Sequence, residues 1–224
     1  MNLRIIAKVT GWSLIAMVIV AGISLGYALE EVFGFIQTEP FQNAAEYFQL
    51  FQIVVLGLCL TIILDFIVSF TLYKFFENDN KNISLISAIL RVVYTLILVV
   101  AAISIISSWT IWTTNQADII ANFERFMFIW TSGLIIFGFH VTLIGFLMKI
   151  HKKIPKILWI LTLIAGVSYI IVHSLKVIPS LEQLAKSLEM ILMLPMAAGE
   201  LGLAIWLIIK GGKTDKSHTI ERRE

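Results

Sequence analysis

The sequence predicts an all-α membrane protein: a polytopic bundle of six transmembrane helices with both termini in the cytoplasm. Three observations predict it, namely the composition, six long apolar stretches and the uneven placement of cationic side chains. Of the 224 residues, 58% are hydrophobic and 14% are charged, and the mean hydropathy is +0.90. Soluble domains are about half apolar and about a quarter charged, so this composition places the chain in a lipid bilayer.

Each predicted span is an apolar stretch of about 20 residues or more, the length that a helix needs to cross the hydrocarbon core. Short polar segments separate the spans, such as Glu30-Glu31 after the first and residues 77–82 before the third. The predicted spans are 9–29, 48–76, 83–109, 126–149, 155–177 and 188–210. Residues 1–211 therefore form one transmembrane domain. The polar tail, 212–224, has nothing to bury and is expected to be a disordered cytoplasmic tail.

Cationic side chains predict the orientation. Thirteen of the 17 Lys and Arg residues flank the span ends that share a side with both termini, and three lie on the other side. Positive charge accumulates on the cytoplasmic side of membrane proteins, so both termini are expected there, in a bacterial inner or plasma membrane. The longer opposite loops, 30–47 and 110–125, contain aromatic residues such as Phe33, Phe41 and Trp112 and are expected to form short interfacial helices.

The first apolar stretch has an alternative interpretation as a signal peptide, because Arg4 and Lys8 precede an apolar run that ends in small residues. The stretch is longer than such a peptide needs, which favours a retained first span. Gly22 and Gly26 form a GxxxG pattern on it and predict a close helix contact inside the bundle. Cys59 is the single cysteine and is expected to be a small buried hydrophobe.

Four ionisable residues interrupt the spans: Asp65, Arg91, His140 and Glu200. An ionisable group in hydrocarbon costs about 2.5–3.5 kcal/mol on insertion scales and is retained when it is paired or used. With a rise of about 1.5 Å per residue on helices of alternating direction, the four lie roughly 16, 12, 13 and 15 Å from the cytoplasmic ends of their spans. We therefore expect them to meet in one layer near the middle of the membrane.

Further polar residues accompany this layer. Tyr94 lies on the same face of the third span as Arg91, one turn away. On the fifth span, Tyr169, His173 and Lys176 follow one another at helical spacing toward the outer surface. The layer is therefore expected to connect with the outside, although His173 alone is also typical of an interfacial hydrogen-bonding histidine.

Three segments carry a family resemblance: Asp65 to Tyr94, Phe137 to Tyr169, and Gly199 to Gly211. The most specific matches are Gly138-Phe139-His140, Ile154-Pro155 and the run from Glu200 to Trp206. With these segments the chain resembles, over roughly residues 5–211, the prokaryotic multi-pass family called domain of unknown function DUF4386. The resemblance implies a six-span bacterial membrane protein. It implies no activity, so no catalytic residue is carried over from it.

Two hypotheses for the layer remain open. In the first, Asp65, Arg91, His140 and Glu200, with Tyr94, bind a small ligand or relay protons. In the second, the same residues only hold helices together in a structural or accessory membrane protein, with Arg91 between the two carboxylates. An intramembrane enzyme is less favoured, because HExxH, GxGD and a serine nucleophile in a helix-start loop are absent from the sequence.

No metal or cofactor is predicted. Asp65, His140 and Glu200 supply groups that bind metals, but the charge of Arg91 beside them opposes a cation. His140 and His173 are about 14 Å out of step along the membrane normal, so they are not placed to grip one haem. Cationic residues lie in short clusters beside the spans, which disfavours nucleic-acid binding. The expected partners are the lipid bilayer and a small molecule or proton, and the sequence indicates no particular protein partner.

Overall fold

The computed structural model describes residues 2–38 and 44–213. Within these residues the chain forms helices joined by short turns, without a strand, and six helices are long and apolar enough to cross a membrane. The predicted all-α, six-span fold is therefore confirmed, and the chain is a multi-pass membrane protein. The predicted disordered tail lies, apart from its first two residues, outside the described residues.

The first span is one continuous helical rod. Helix α1, Leu3–Ala21, passes through a π-helical segment, Gly22–Ala28, into α2, Leu29–Thr38. The other spans are α3, Ala44–Phe76; α4, Lys81–Ser107; α5, Gln116–Ile150; α6, Lys156–Lys176; and α7, Glu182–Ile209. Short 3-10 helices, Ser108–Ile111 and Pro179–Leu181, follow α4 and precede α7.

Local sequence signals explain where several helices begin. Asn2, Asn80 and Asn115 are N-caps, and their side-chain oxygens accept hydrogen bonds from backbone N–H groups in the first turns of α1, α4 and α5. Pro155 precedes α6, where its fixed φ suits a helix start. At the other end of the chain, Gly212 has a φ of 66° and turns the backbone sharply after α7.

The helices pack as a closed ring in chain order. Each span packs against the next, from α1 and α3 through to α6 and α7, and α7 returns to α1. Arg4 closes the ring: its guanidinium donates to the carbonyls of Leu207 at 3.1 Å, Gly211 at 2.7 Å and Ile208 at 2.5 Å. A cation suits the negative C-terminal end of a helix. The end that holds Arg4 and Gly211 is called the terminal end below, and the end that holds Trp112 and Lys176 is called the distal end.

At the distal end, the spanning helices extend into the segments that the sequence predicts as short interfacial helices: α2 runs to Thr38, α3 begins at Ala44 and α5 begins at Gln116. The segment after Glu30 is no separate interfacial helix, because the first span continues through it as α2. Val32, Phe35 and Ile36 of α2 are 0–3% exposed, and this burial stabilises the continuation. Trp112 then stacks on Phe51 of α3 at 4.3 Å. Of the predicted loop residues, Phe41 lies outside the described residues.

Two apolar cores fill the ring, one toward each end. The terminal core consists of Ile6, Ala7, Leu14, Val68, Leu72, Phe75, Phe76, Ile144, Leu147, Met148, Ile154, Leu203, Ala204, Trp206 and Leu207. The distal core includes Leu25, Phe51, Leu58, Leu98, Phe123, Phe126 and Phe137. Along the chain, the predicted polar layer falls between the residues of these two cores.

Two predictions about single residues are wrong. Gly22 and Gly26 do not mark a contact inside the bundle: both are exposed, and a Cβ on Gly22 would meet nothing within 4 Å. The π-helical segment turns Ser24 inward instead, where it packs directly on Gly57 of α3. Cys59 is exposed, because it lies on the outward face of α3 next to exposed Leu60.

Candidate functional site

A buried ion pair joins α3 and α4 at the level of the layer. Arg91, 1% exposed, donates from Nε at 2.9 Å and from Nη2 at 2.6 Å to Oδ1 of Asp65, which is 0% exposed. Both bonds reach the same carboxylate oxygen. The other oxygen, Oδ2, is buried without a hydrogen-bond partner among the described residues, and so is Oγ1 of Thr61 one turn away. The charge is therefore paired, but its hydrogen bonding is incomplete.

Serine side chains bring the two helices of this pair into register. Ser69 of α3 donates to the carbonyl of Ala88 at 3.0 Å, and Ser84 of α4 donates to the carbonyl of Tyr73 at 3.0 Å. Both bonds lie toward the terminal end from Arg91. Small residues at such positions let two helix backbones approach closely, which brings a long and a short ionic side chain within bonding distance.

His140 of α5 extends the pair to a third helix. Its Nε2 lies 3.1 Å from Nη1 of Arg91, and its Nδ1 lies 2.9 Å from both the carbonyl and the hydroxyl oxygen of Ser87. A guanidinium has donors only, so Nε2 must accept and the proton must reside on Nδ1. Nδ1 then donates to Ser87. The hydrogen bonds thus assign His140 as the neutral ring, protonated on Nδ1.

A small cavity lies at the centre of the ring, next to these residues. All six spans contribute to its wall: Leu14 from the first, Leu72 from α3, Arg91 from α4, His140, Val141 and Ile144 from α5, Thr162 from α6, and Glu200 and Leu203 from α7. The space open to the centre of a water molecule is about 20 Å³. Roughly 10–15 Å³ of such space holds one water, so the cavity has room for about one or two.

Glu200 faces this cavity from α7 and lies close to α6. Gly199 beside it packs tightly on the backbone of Thr162, whose hydroxyl oxygen lies 3.3 Å from the Gly199 carbonyl oxygen. The carboxylate is partly buried and has the side chain of Tyr169 on α6 as its titratable neighbour. In the described part of the chain, no ion pair involves Glu200.

This arrangement differs from the expectation that Arg91 lies between the two carboxylates. Arg91 pairs with Asp65 and His140, and the cavity lies between Arg91 and Glu200. The remaining Nη2 contact of Arg91 is to Sδ of Met17 at 3.6 Å, on the first span. Its donors are directed toward α1, α3 and α5, which leaves Glu200 to Tyr169.

Tyr94 lies one turn to the distal side of Arg91 and does not bond to the four ionisable residues. Its hydroxyl oxygen accepts a hydrogen bond from Nε1 of Trp130 at 3.4 Å, and its ring lies 4.8 Å from that of Phe137. The Phe137 ring also lies 5.4 Å from the Arg91 guanidinium, a cation–π distance. Tyr94 and Phe137 therefore form the distal wall of the layer.

The predicted polar stripe on α6 leads away from Glu200. The rings of Tyr169 and His173 stack at 5.6 Å with an interplanar angle of 18°, and Nδ1 of His173 lies 2.9 Å from the carbonyl oxygen of Tyr169. One turn further, Lys176 pairs with Glu189 of α7 at 2.7 Å. The three predicted residues thus follow one side of α6 from the layer to the distal end.

Two contacts are not predicted by the sequence: Met17 with Arg91, and His151 with Asp79. Met17 gave no signal, because a methionine in an apolar span is indistinguishable from core. At the terminal end, Nδ1 of His151 bonds to Oδ2 of Asp79 at 2.8 Å, a pair between two loops outside the predicted layer. Among residues 2–38 and 44–213, no group of three or more His, Cys, Asp or Glu side chains is placed to hold a metal.

Comparisons with known proteins extend over most of the chain. The family described as "Domain of unknown function (DUF4386)" matches residues 9–211. An "Uncharacterized protein" of Archaeoglobus fulgidus is 33% identical over 159 residues, which is 71% of this chain and 84% of that protein. No solved structure matches.

Proposed function

The chain belongs to the domain of unknown function family DUF4386, and from the geometry of its polar layer we propose that it takes up and relays protons within the membrane. In this proposal it resides in a bacterial cell membrane with both termini in the cytoplasm. The residues that carry the role are Asp65, Arg91, His140 and Glu200, with Tyr94 in the wall beside them. The observation that carries the proposal is Glu200, a carboxylate outside any described ion pair that shares a water-sized cavity with Arg91.

The balance of charge supports Glu200 as the group that exchanges a proton. Asp65 already neutralises Arg91 through two hydrogen bonds, and His140 is the neutral tautomer. An ionised Glu200 would add one uncompensated charge to the centre of the membrane, and taking up a proton removes it. In this proposal the net charge of Arg91 and Asp65 together stays at zero. His140 orients the guanidinium by accepting a hydrogen bond from it.

The size of the cavity favours a proton over a larger ligand. With room for about one or two waters, it is far below the roughly 300–1,000 Å³ of pockets that bind organic molecules. Its wall is mostly apolar, and the ionisable residues that line it are Glu200, Arg91 and His140. A water among these groups is able to accept from one and donate to another, which is what proton transfer over a short distance requires.

The alternative is that the layer only holds helices together. The contacts of Arg91 with Met17, Asp65 and His140 favour this function, because one side chain joins the first span, α3 and α5. However, a pair that served packing alone would gain from satisfying both oxygens of Asp65. It would also have no use for Glu200 at a shared cavity.

Infrared spectroscopy of the protein in lipid vesicles tests the proposal, because a protonated carboxyl group absorbs separately from a carboxylate. We expect a carboxyl band that changes with pH and disappears in Glu200→Gln. The matched control is Glu182→Gln, which replaces an exposed carboxylate on the same helix and should leave the band intact. A band that survives Glu200→Gln, or a variant that only loses thermal stability, would support the packing alternative.

A further inference from the structure

We propose that the layer exchanges protons with one side of the membrane only, the distal side, along α6 through Tyr169 and His173. This inference rests on the proposed role of Glu200 and adds the direction from which its proton comes. Under the orientation given by the cationic residues, the distal side faces away from the cytoplasm. A layer with one entrance responds to pH on that side and does not conduct protons across the membrane.

The distal path consists of titratable side chains at consecutive turns. Tyr169 is the titratable neighbour of Glu200 on α6, and His173 stacks on the Tyr169 ring at 5.6 Å. Nδ1 of His173 donates to the Tyr169 carbonyl at 2.9 Å, so its Nε2 is the nitrogen left to receive a proton from the distal side. The Lys176–Glu189 pair, with side chains 23% and 36% exposed, marks where this path reaches the surface.

The terminal side of the layer is closed by packing. Immediately below the cavity, toward the terminal end, lie Leu14, Val68, Leu72, Ile144, Leu147 and Leu203, which are between 0 and 4% exposed. Four buried hydroxyl groups in this half bond to backbone carbonyls: Thr10 and Thr71 to their own helices, Ser69 and Ser84 to the neighbouring one. In the described residues, no titratable side chain is fully buried between the layer and the terminal end.

The groups that face Glu200 are consistent with a single entrance for protons. Asp65 and Arg91, from α3 and α4, act on it through charge, Tyr169 of α6 is its other titratable neighbour, and His140 of α5 lines the same cavity. Arg91 is bonded to both Asp65 and His140, and Tyr169 alone leads to a titratable group outside the layer, His173. When His173 takes up a proton on Nε2, a water molecule accepts that proton and passes one to the oxygen of the Tyr169 hydroxyl, which releases its own hydrogen to the Glu200 carboxylate. The hydroxyl is unchanged, and Glu200 gains one proton.

The experiment uses the full chain in vesicles of uniform orientation, with the interior held at constant pH by a concentrated buffer. The pH is changed on one side, and the Glu200 carboxyl band is recorded over time. We expect the band to follow the pH on the Glu189 side at least tenfold faster than the pH on the Arg4 side. His173→Gln and Tyr169→Phe should each slow that response tenfold or more, while His151→Gln, at the terminal end, should not.

The outcomes separate the two proposals. A carboxyl band that follows pH equally from both sides, or faster from the Arg4 side, overturns the single entrance and leaves proton uptake by Glu200 intact. Unchanged rates in both His173→Gln and Tyr169→Phe overturn the path along α6. The absence of any pH-dependent band that depends on Glu200 overturns the proposed function itself. Melting curves of the path variants, expected to match the parent protein within a few degrees, show that a slower response is not the result of unfolding.

Discussion

The terminal and distal halves of the bundle have similar apolar cores but different buried polar groups. In the terminal half, buried hydroxyls such as Ser69 and Ser84 donate to backbone carbonyls of a neighbouring helix and are fully occupied there. The distal half also contains hydroxyls, but it adds the titratable side chains of Tyr94, Tyr169 and His173. Buried hydroxyl–carbonyl bonds stabilise the contact between helices, whereas titratable side chains are able to take up and release protons. The two halves therefore differ in the type of buried polar side chain and not in apolarity, and the proposed direction of proton access rests on that difference.

The largest expected effect concerns the ion pair between Asp65 and Arg91, which lies between the two halves. Asp65→Ala leaves Arg91 as an unpaired buried charge, so we expect the free energy of unfolding to fall by about 3–5 kcal/mol. Unfolding in detergent micelles by denaturant measures it. The double variant Asp65→Leu with Arg91→Met removes both charges and should recover much of that loss. A single Asp65→Ala variant as stable as the parent would show that the pair is not a fixed part of the layer.

The second-largest expected effect concerns the packing of α6 on α5. A Cβ on Gly166 would fall on the backbone of Thr142 in α5, which cannot move aside as a side chain does. We therefore expect Gly166→Ala to lower the free energy of unfolding by about 1–3 kcal/mol. Gly22→Ala is the matched control, because its Cβ would meet nothing within 4 Å and its effect should be near zero or stabilising. Equal effects of the two substitutions would contradict the tight packing of α5 on α6.

A smaller effect is expected where the terminal half closes. Arg4→Gln removes the guanidinium that donates to the carbonyls of Leu207, Ile208 and Gly211, so we expect a loss of about 1–2 kcal/mol in the free energy of unfolding. Lys8→Gln replaces a nearby exposed cation and should change little. If Arg4→Gln also opens the terminal side, the carboxyl band should begin to follow pH from that side. A stable Arg4→Gln variant would mean that α1 and α7 are held together by apolar packing alone.

The smallest expected effect concerns the distal surface. The Lys176–Glu189 pair is partly exposed, and such pairs contribute about 0–1 kcal/mol. We therefore expect Lys176→Gln to change the free energy of unfolding by less than about 1 kcal/mol. Thermal melts at low and high salt measure it, and the small difference should shrink further as salt screens the pair. A loss of several kcal/mol would show that this pair is a structural clamp and not the open end of a path.

The sequence predicts the membrane fold because hydropathy and span length depend on composition along the chain, which needs no tertiary information. Depth along a helix is similarly readable, since it follows from the rise per residue. The rotation of each helix about its own axis cannot be read from the sequence in this way. Depth alone is therefore compatible with Arg91 between both carboxylates, whereas the structure directs it to Asp65 and His140.

Local backbone irregularity was also beyond the sequence pattern. The π-helical segment Gly22–Ala28 changes which residues face the bundle, so Ser24 points inward where an α-helical pattern favoured Gly22 and Gly26. The predicted burial of Cys59 is wrong for a related reason. A wholly apolar helix has no periodic pattern that distinguishes a lipid-facing side from a core-facing side. The contact of Met17 with Arg91 can be recognised only once the helices are packed into the ring.

Solid-state NMR of the protein in bilayers, with the side-chain carboxyl carbons of Asp and Glu labelled, is the sharpest test of proton uptake by Glu200, because it reads each carboxyl group separately. The account predicts that the Glu200 signal moves between its carboxylate and carboxylic-acid positions as pH changes on the distal side. The Asp65 signal should stay at the carboxylate position, held by its two bonds from Arg91. A Glu200 signal that stays still while Asp65 moves, or two signals that both stay still, would contradict it.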